Sequence, residues 1–412
     1  MSSPSPVYEA TCTAPVNIAV VKYWGKRDTS LILPTNSSLS VTLSQDDLRS
    51  LTTARAIPPT TTSSTSSSSE SNVDRLWLNG TEEEIKEGGR TATCLAELRK
   101  LRKSFEEKDS SLPPLSSYPL HIASENNFPT AAGLASSASG LSALIATISS
   151  LYSLSSFGIS TSQLSRIARQ GSGSACRSMF GGYVGWEMGS RSDGSDSGAY
   201  EVAPVEHWDD LDAIILVVSD KKKGTASTVG MQKTVATSSL LQHRIKEVVP
   251  ERMRKMEKAI KGKDFRVFAE ETMRDSNQFH AVCLDTSPPI FYLNDTSRQI
   301  IQLVEELNRS RGSEGPIAAY TFDAGPNAVL YVQRRDTPLV LSTVLKYFPQ
   351  EEKLEDVEDM KLPEGFNEKV IMKQEKGAVS RIIRTKVGDG PRVLDTEKEG
   401  LLAENGMPKN LA

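Results

Sequence analysis

Residues Pro129 to Gly140 read PTAAGLASSASG, and from there Leu134, Ala138, Leu141, Ile145, Ile148 and Tyr152 recur four and three apart. A loop of small side chains therefore opens a long helix. Small residues let the backbone approach a ligand closely, and the unpaired amides of a first helical turn, aided by the helix dipole, attract phosphate. The candidate cradle comprises Pro129, Ala132, Gly133 and Leu134, with Ser136, Ser137 and Ser139 offering hydroxyls. A helix packed against a sheet through Ala and Gly would show the same composition. No GxxxxGK is present and no GxGxxG follows a strand here, so this is neither a Walker A loop nor a dinucleotide fingerprint.

A second small-residue loop, Gly171-Ser-Gly-Ser174, leads into a short helical turn carrying Arg177 and then into the strand-like run Gly182 to Trp186. Two cradles suggest two phosphorylated ligands. Ser172, Gly173 and Ser174 offer amide and hydroxyl donors, and Arg177 supplies a planar fork for phosphate or carboxylate. Upstream, Lys22-Tyr-Trp-Gly-Lys-Arg27 sets three cations beside two aromatic rings just after a strand. Such a run suits a solvated chain end, or a mouth that closes over an anion and excludes water. Arg75, from another strand, is a candidate to join it, and Thr228 could add a hydroxyl. Asp323 stands where Ala318–Phe322 ends and a Gly-Pro turn begins. It serves either as an Asx-type turn residue or as a base for a substrate hydroxyl, kept ionised by a cation for which Lys22 is the candidate.

The chain of 412 residues exceeds the usual size of a single core, so two lobes around a cleft are expected, divided within the Gly/Ser/Asp-rich region after Gly189 as 1–205 and 206–412. Alternation predicts strands at Thr13–Ile18, Ser38–Leu43, Asp74–Leu78, Leu120–Ser124, Ile214–Val218, Ile317–Phe322 and Ala328–Val332. The second carries Leu39, Val41 and Leu43 on one face and presents a polar face to the cleft. Helices are expected at Arg90–Phe105, Leu240–Lys258 and Phe265–Arg274, and after a cap at Asp295. Residues 57–72 are a low-complexity insertion, because from Thr60 to Ser71 only Glu70 is neither Ser nor Thr. Four dispersed cysteines, Cys12, Cys94, Cys176 and Cys283, form no CxxC, which argues against zinc and disulfide scaffolds. A net charge of −4 gives no overall pull on nucleic acid. No apolar run is long enough for membrane insertion, and no signal-peptide pattern opens the chain, so a cytoplasmic location is expected.

CTAPVNIAVVKYWGKRD (Cys12 to Asp28), NNFPTAAGLASSASG (Asn126 to Gly140), GSGSACRSMFGGYVGW (Gly171 to Trp186) and YTFDAGPNAVLY (Tyr320 to Tyr331) resemble the mevalonate diphosphate decarboxylases of the GHMP kinase superfamily. So does LPTNSSLSVTLSQDDLR (Leu33 to Arg49). The phosphate loop alone would indicate only the superfamily, whereas KYWGKRD, SGSACRS and FDAGPN indicate the decarboxylases. The resemblance implies an α+β GHMP kinase fold, with an N-terminal lobe like ribosomal protein S5 domain 2 and a ferredoxin-like C-terminal lobe. It implies ATP with Mg2+, (R)-5-diphosphomevalonate as substrate, and a homodimer. Asp323, Lys22 and Arg177 would be catalytic. Tyr23, Trp24, Gly25, Lys26, Arg75, Ser172, Gly173, Ser174, Ala175, Cys176, Arg177 and Thr228 would bind substrate. The loop at Pro129, Ala132, Gly133, Leu134, Ser136, Ser137 and Ser139 would hold ATP, while the magnesium ligands stay open. A small-molecule kinase of the same superfamily, stopping at the phosphorylated product, is the nearest rival. A non-catalytic anion-binding protein that has kept the fold is the rival from another class.

Overall fold

The alternation that begins at Thr13 runs on through Val21, yet it belongs to two strands in two different sheets. In the computed structural model, which describes residues 7–58, 73–128, 136–218, 224–351 and 357–411, Tyr8–Pro15 and Asn17–Val21 are separate strands. Pro15 cannot donate to a ladder, so the chain leaves one sheet there and enters the next. The expected single strand Thr13–Ile18 is corrected accordingly. Both the insertion at Thr60–Ser71 and the loop residues Pro129, Ala132, Gly133 and Leu134 lie outside the described residues.

The first sheet runs, edge to edge, Arg392–Leu394, Tyr8–Pro15, Arg49–Ala56, Leu120–Asn126, Arg75–Leu78 and Thr81–Glu83. Its strands are antiparallel except where Arg75–Leu78 pairs parallel with Leu120–Asn126. Helices Arg90–Glu106, Ser136–Leu151 and Thr161–Gly171 cover it, burying Leu95, Leu98, Ile145, Ile148 and Ile167 in one core. A second sheet is ordered Ala199–Ala203, Tyr183–Trp186, Ser38–Thr42, Asn17–Val21. The third is fully antiparallel, in the order Ala318–Phe322, Ala328–Gln333, Leu211–Val217, Arg381–Lys386. Val20, Leu39 and Val41 of the second sheet share one apolar cluster with Ile214, Phe268 and Leu330 of the C-terminal half. The two halves are thus fastened through a continuous core. Past Lys386 the chain crosses back, and Arg392–Leu394 joins the first sheet beside Tyr8–Pro15.

Helix Phe265–Leu284 overruns its expected end at Arg274 because Phe279, Val282 and Cys283 continue its buried stripe. The next helix is capped by Asn294, whose side chain accepts from the Ser297 amide at 2.9 Å, rather than by Asp295. Leu240–Lys258 is not one uniform α-helix. Ser239–His243 passes through a π-helical turn, Arg244–Val248, into Val249–Gly262. Pro250, lacking an N–H, removes one rung of the ladder at that point.

Ser139 corrects an expectation about the phosphate loop. It is fully buried, donates to the Ala14 carbonyl at 2.8 Å and accepts from the Ser50 amide at 3.1 Å. It therefore fastens the helix to two strands instead of facing a ligand. Ser139→Ala leaves a buried amide without its acceptor and should cost about 1–3 kcal/mol in denaturant unfolding. The KM for ATP should stay within about twofold, and a selective rise in it without loss of stability would return Ser139 to the nucleotide.

Candidate active site

Arg177 is built into the second sheet's polar face. Strand Ser38–Thr42 turns Leu39 and Val41 into the core, leaving Ser38 and Ser40 pointing the other way. Arg177 donates through Nη1 to Ser38 Oγ at 2.5 Å and through Nε to Ser40 Oγ at 2.9 Å and Asn17 Oδ1 at 3.2 Å. Its guanidinium lies 5.8 Å from the Trp186 ring centroid. Burial lowers its pKa from the ordinary value, with the Asp323 carboxylate among the charges opposing that shift. The serines and asparagine fix one edge of the fork in place before any ligand arrives.

Lys22 and Asp323 meet although 301 residues separate them. Lys22 follows edge strand Asn17–Val21, its side chain is 3% exposed, and Nζ donates to Asp323 Oδ1 at 2.6 Å. Asp323 follows strand Ala318–Phe322 and stays 28% exposed at its side chain. Its own carbonyl accepts from the Gly325 amide at 2.7 Å, closing the tight turn. The residue is therefore a turn former and a cleft carboxylate at once. Behind the pair, His280 is held neutral: burial, then the Lys22 charge, push its pKa down to about 3.

These residues border a cleft of about 180 Å3 that also draws in Tyr23, Trp24, Lys26, Ser172, Gly173, Ser174 and Thr228. Its charged lining among the described residues is Lys22, Lys26, Arg90 and Arg177 against Asp323 alone, a surplus suited to a polyanion. Trp24 is anchored through Nε1 to Thr234 Oγ1 at 3.0 Å and packs edge-on against Phe279. Gly25 has φ of +97°, and a Cβ there would come within 2.7 Å of Thr35 Oγ1. Gly173 is required for space, since a Cβ would sit 2.8 Å from the Tyr23 ring and 2.9 Å from Trp186. The Tyr23 hydroxyl is buried without a hydrogen-bond partner among the described residues, consistent with a donor kept for a ligand.

Gly25 does not itself line the cleft, and three further expected substrate residues are placed elsewhere. Ala175 and Cys176 are fully buried, Ala175 in the core under the first sheet's helices and Cys176 against Val184 and Trp186. A short helical turn can aim only some of its side chains at the cleft, and Ser174 and Arg177 take those positions. Arg75 forms a two-pronged pair with Glu82 at 2.7 and 2.9 Å and lies over Trp77. Strand parity puts it on the face opposite Leu76 and Leu78, and it does not line the cleft.

Arg90 was missed by sequence reasoning. It opens helix Arg90–Glu106, and its Nη2 donates to Thr228 Oγ1 at 3.0 Å across the cleft. With Ser137 it also borders a second cavity of about 600 Å3, lined by Leu76, Leu78, Ser136, Leu141 and Leu144 among others. Ser137 Oγ stands 3.4 Å from Ser172 Oγ, so the two expected cradles adjoin. An arginine at a helix start after Gly88-Gly89 was the available signal. Among the described residues no group of three His, Cys, Asp or Glu side chains could hold a metal. No helix there is long and apolar enough to cross a membrane.

A two-lobed α+β fold with a polycationic cleft and a serine-bearing helix start defines the GHMP kinase class. Within it, the model of the diphosphomevalonate decarboxylase-like N-terminal domain matches residues 14–199, and that of the mevalonate 5-diphosphate decarboxylase C-terminal domain matches residues 213–394. The chain belongs to the diphosphomevalonate decarboxylase family. It is 59% identical to a diphosphomevalonate decarboxylase of Ganoderma lucidum over 98% of this chain and 100% of the relative. It is similar to a crystal structure of mevalonate 5-diphosphate decarboxylase at 51% identity and TM-score 0.83, covering 97% of this chain and 99% of the other. A second similar structure, described as MDDEF in complex with MVAPP, AMPPCP and magnesium, is 29% identical with TM-score 0.71, covering 95% of this chain and 100% of the other.

Lys26 gives the cleft a measurable pH signature. Burial, then the Arg90 charge, lower its pKa from 10.5 to about 8. Below that value it is cationic and attracts an anion, and as pH rises through it the attraction is lost. Calorimetry with inorganic pyrophosphate should show affinity falling between pH 7 and 9, approaching about tenfold per pH unit at the alkaline end. Lys26→Arg, which keeps its charge, should flatten the curve relative to the unaltered protein. Identical pH profiles for the two would exclude Lys26 from the anion site.

Proposed function

We propose a division of labour in this cleft for the family's reaction, ATP-dependent decarboxylation of diphosphomevalonate. The observation that carries it is the 2.6 Å contact between Lys22 Nζ and Asp323 Oδ1, a cation and a carboxylate brought from distant parts of the chain into one anion-binding cleft. The substrate diphosphate is held by Lys26, Tyr23, Ser172, Ser174 and Thr228, whose donors border the same space. Arg177, held by its serines, takes the substrate carboxylate.

ATP phosphorylates the tertiary C3 hydroxyl, which turns a poor leaving group into a good one. Asp323 orients or accepts the hydroxyl proton, and Lys22, bonded to its carboxylate, reaches toward the transferring phosphoryl. Departure of inorganic phosphate develops positive charge at C3. Loss of the neighbouring carboxylate as CO2 returns its electron pair and forms the double bond of isopentenyl diphosphate, with ADP as the other product. Once any proton it has taken has passed to an oxygen of the departing phosphate, Asp323 is again a carboxylate and offsets the developing charge.

The nucleotide belongs in the cavity beyond Ser137, with its phosphates turned toward Ser136, Ser137 and Arg90. Magnesium neutralises the phosphates when bound. A hard cation that keeps several waters and takes phosphate oxygens needs no dedicated carboxylate cage, so hydroxyl-bearing residues at a helix start fit it. We further propose a homodimer, on the family resemblance, and a cytoplasmic location. The lobe division near residue 205 is retained as a proposal, with the returning strand Arg392–Leu394 attached to the first lobe.

Release of labelled CO2 distinguishes this reaction from that of a kinase, which would form ADP alone. For the residue at its centre, Asp323→Asn keeps size and most hydrogen bonding but removes basicity and charge. Turnover should fall roughly a hundredfold or more while equilibrium affinities for nucleotide and diphosphomevalonate move far less. Asparagine is itself a good turn former, so near-normal CO2 release in the variant would leave Asp323 as a turn residue only.

A further inference from the structure

We propose that Arg244 and Asp275 are positioning residues for this reaction, clamping the backbone of Lys22 so that its amine meets Asp323; the inference rests on the role given above to Lys22. Lys22 lies just beyond the end of an edge strand, where its peptide groups have no ladder partner. Its amide donates to Asp275 Oδ2 at 2.7 Å, and its carbonyl accepts from Arg244 Nη2 at 3.1 Å and Asn36 Nδ2 at 2.9 Å. Arg244 and Asp275 are themselves paired twice, at 2.8 and 3.0 Å, with both side chains fully buried. The C-terminal half thus continues, with charged side chains, the pairing that the N-terminal strand lacks.

Charge is used on both backbone groups of one residue, in two successive peptide units. Burial alone would raise the Asp275 carboxyl, but Arg244, with Arg252 and the Lys22 amide, outweighs it and holds the group below its ordinary range. Hydrogen bonds to ionised partners are shorter and stronger than neutral ones. A buried ion pair is poor value for stability alone, because apolar residues of similar volume often do as well. Two further details point away from simple packing. Arg244 begins the π-helical turn Arg244–Val248, a local irregularity of the kind that gathers at functional sites. Its Nη1 is also held by Gln278 Oε1 at 2.7 Å, one helical turn beyond Asp275. The guanidinium is therefore fixed on the C-terminal half before it reaches Lys22.

Arg244→Lys keeps the positive charge opposite Asp275 but lacks the fork that spans both Asp275 and the Lys22 carbonyl. Single-turnover CO2 release should slow by roughly tenfold or more, with KM for ATP and diphosphomevalonate within about twofold. A cycle with Lys22→Met then separates positioning from general damage. If Arg244 acts through the Lys22 amine, adding Arg244→Lys to Lys22→Met should change the rate by less than about twofold; multiplying effects would overturn the proposal. Full activity in a folded Arg244→Lys protein would overturn it as well. Full activity in Lys22→Met would instead remove the Lys22 role on which the inference rests. Should Arg244→Lys fail to fold, the paired Asp275→Asn and Arg244→Gln variant replaces the buried ion pair by neutral amides, one of them shorter than the arginine it replaces. The proposal then expects slow turnover in a folded protein, and a folded pair with normal turnover would refute it.

Discussion

One contact organises the molecule: a lysine amine at the end of an N-terminal edge strand touching an aspartate at the end of a C-terminal strand. In the division of labour proposed above, the amine must meet the carboxylate beside a polyanionic substrate without being drawn off by phosphate, which requires the two lobes to hold a fixed relation. The shared apolar cluster between the second sheet and the C-terminal half supplies that relation at low cost in polar desolvation. The buried Arg244–Asp275 clamp refines it at the Lys22 backbone.

The cations of the cleft are kept in different ways. Arg177 sits in a preformed cage of hydroxyls and an amide, so little rotamer freedom remains to be lost on binding. Lys26 has its pKa lowered first by burial and then by the Arg90 charge, into a range where a bound anion would recharge it. Arg90 reaches across from the first lobe to Thr228 and borders both cavities. On the roles proposed above for Arg177 and Lys26, fixed charge at the reacting end and adjustable charge at the diphosphate end suit a ligand that must be gripped and later released as product.

Local pattern carried much of the fold and of the site into the sequence. The helix opening at Ser136 follows from its apolar period, and the polar face of Ser38–Thr42 from alternation, whereas its pairing with Arg177 is known only from the fold. What stayed illegible was relational. Alternation says that Arg75 opposes Leu76 but not which face meets the cleft, and the first sheet turns Arg75 to Glu82. A motif that runs through SGSACRS cannot say which of its side chains a tight helical turn aims inward, so Ala175 and Cys176 are core. Ser139 shares its composition with the loop yet is two positions beyond Ser137 on the helix, facing the strands. The Arg244–Asp275 clamp had no sequence signal, because its target lies more than two hundred residues away. Only the assembled sheets bring it together.

The most direct test of the central contact is the structure of the complex with diphosphomevalonate and a non-hydrolysable ATP analogue. If the account is right, an Asp323 carboxylate oxygen will lie about 2.6–3.2 Å from the C3 hydroxyl oxygen, with Lys22 Nζ still bonded to the same carboxylate. A C3 hydroxyl bound by other groups, with Asp323 turned to solvent and Lys22 paired elsewhere, would contradict it.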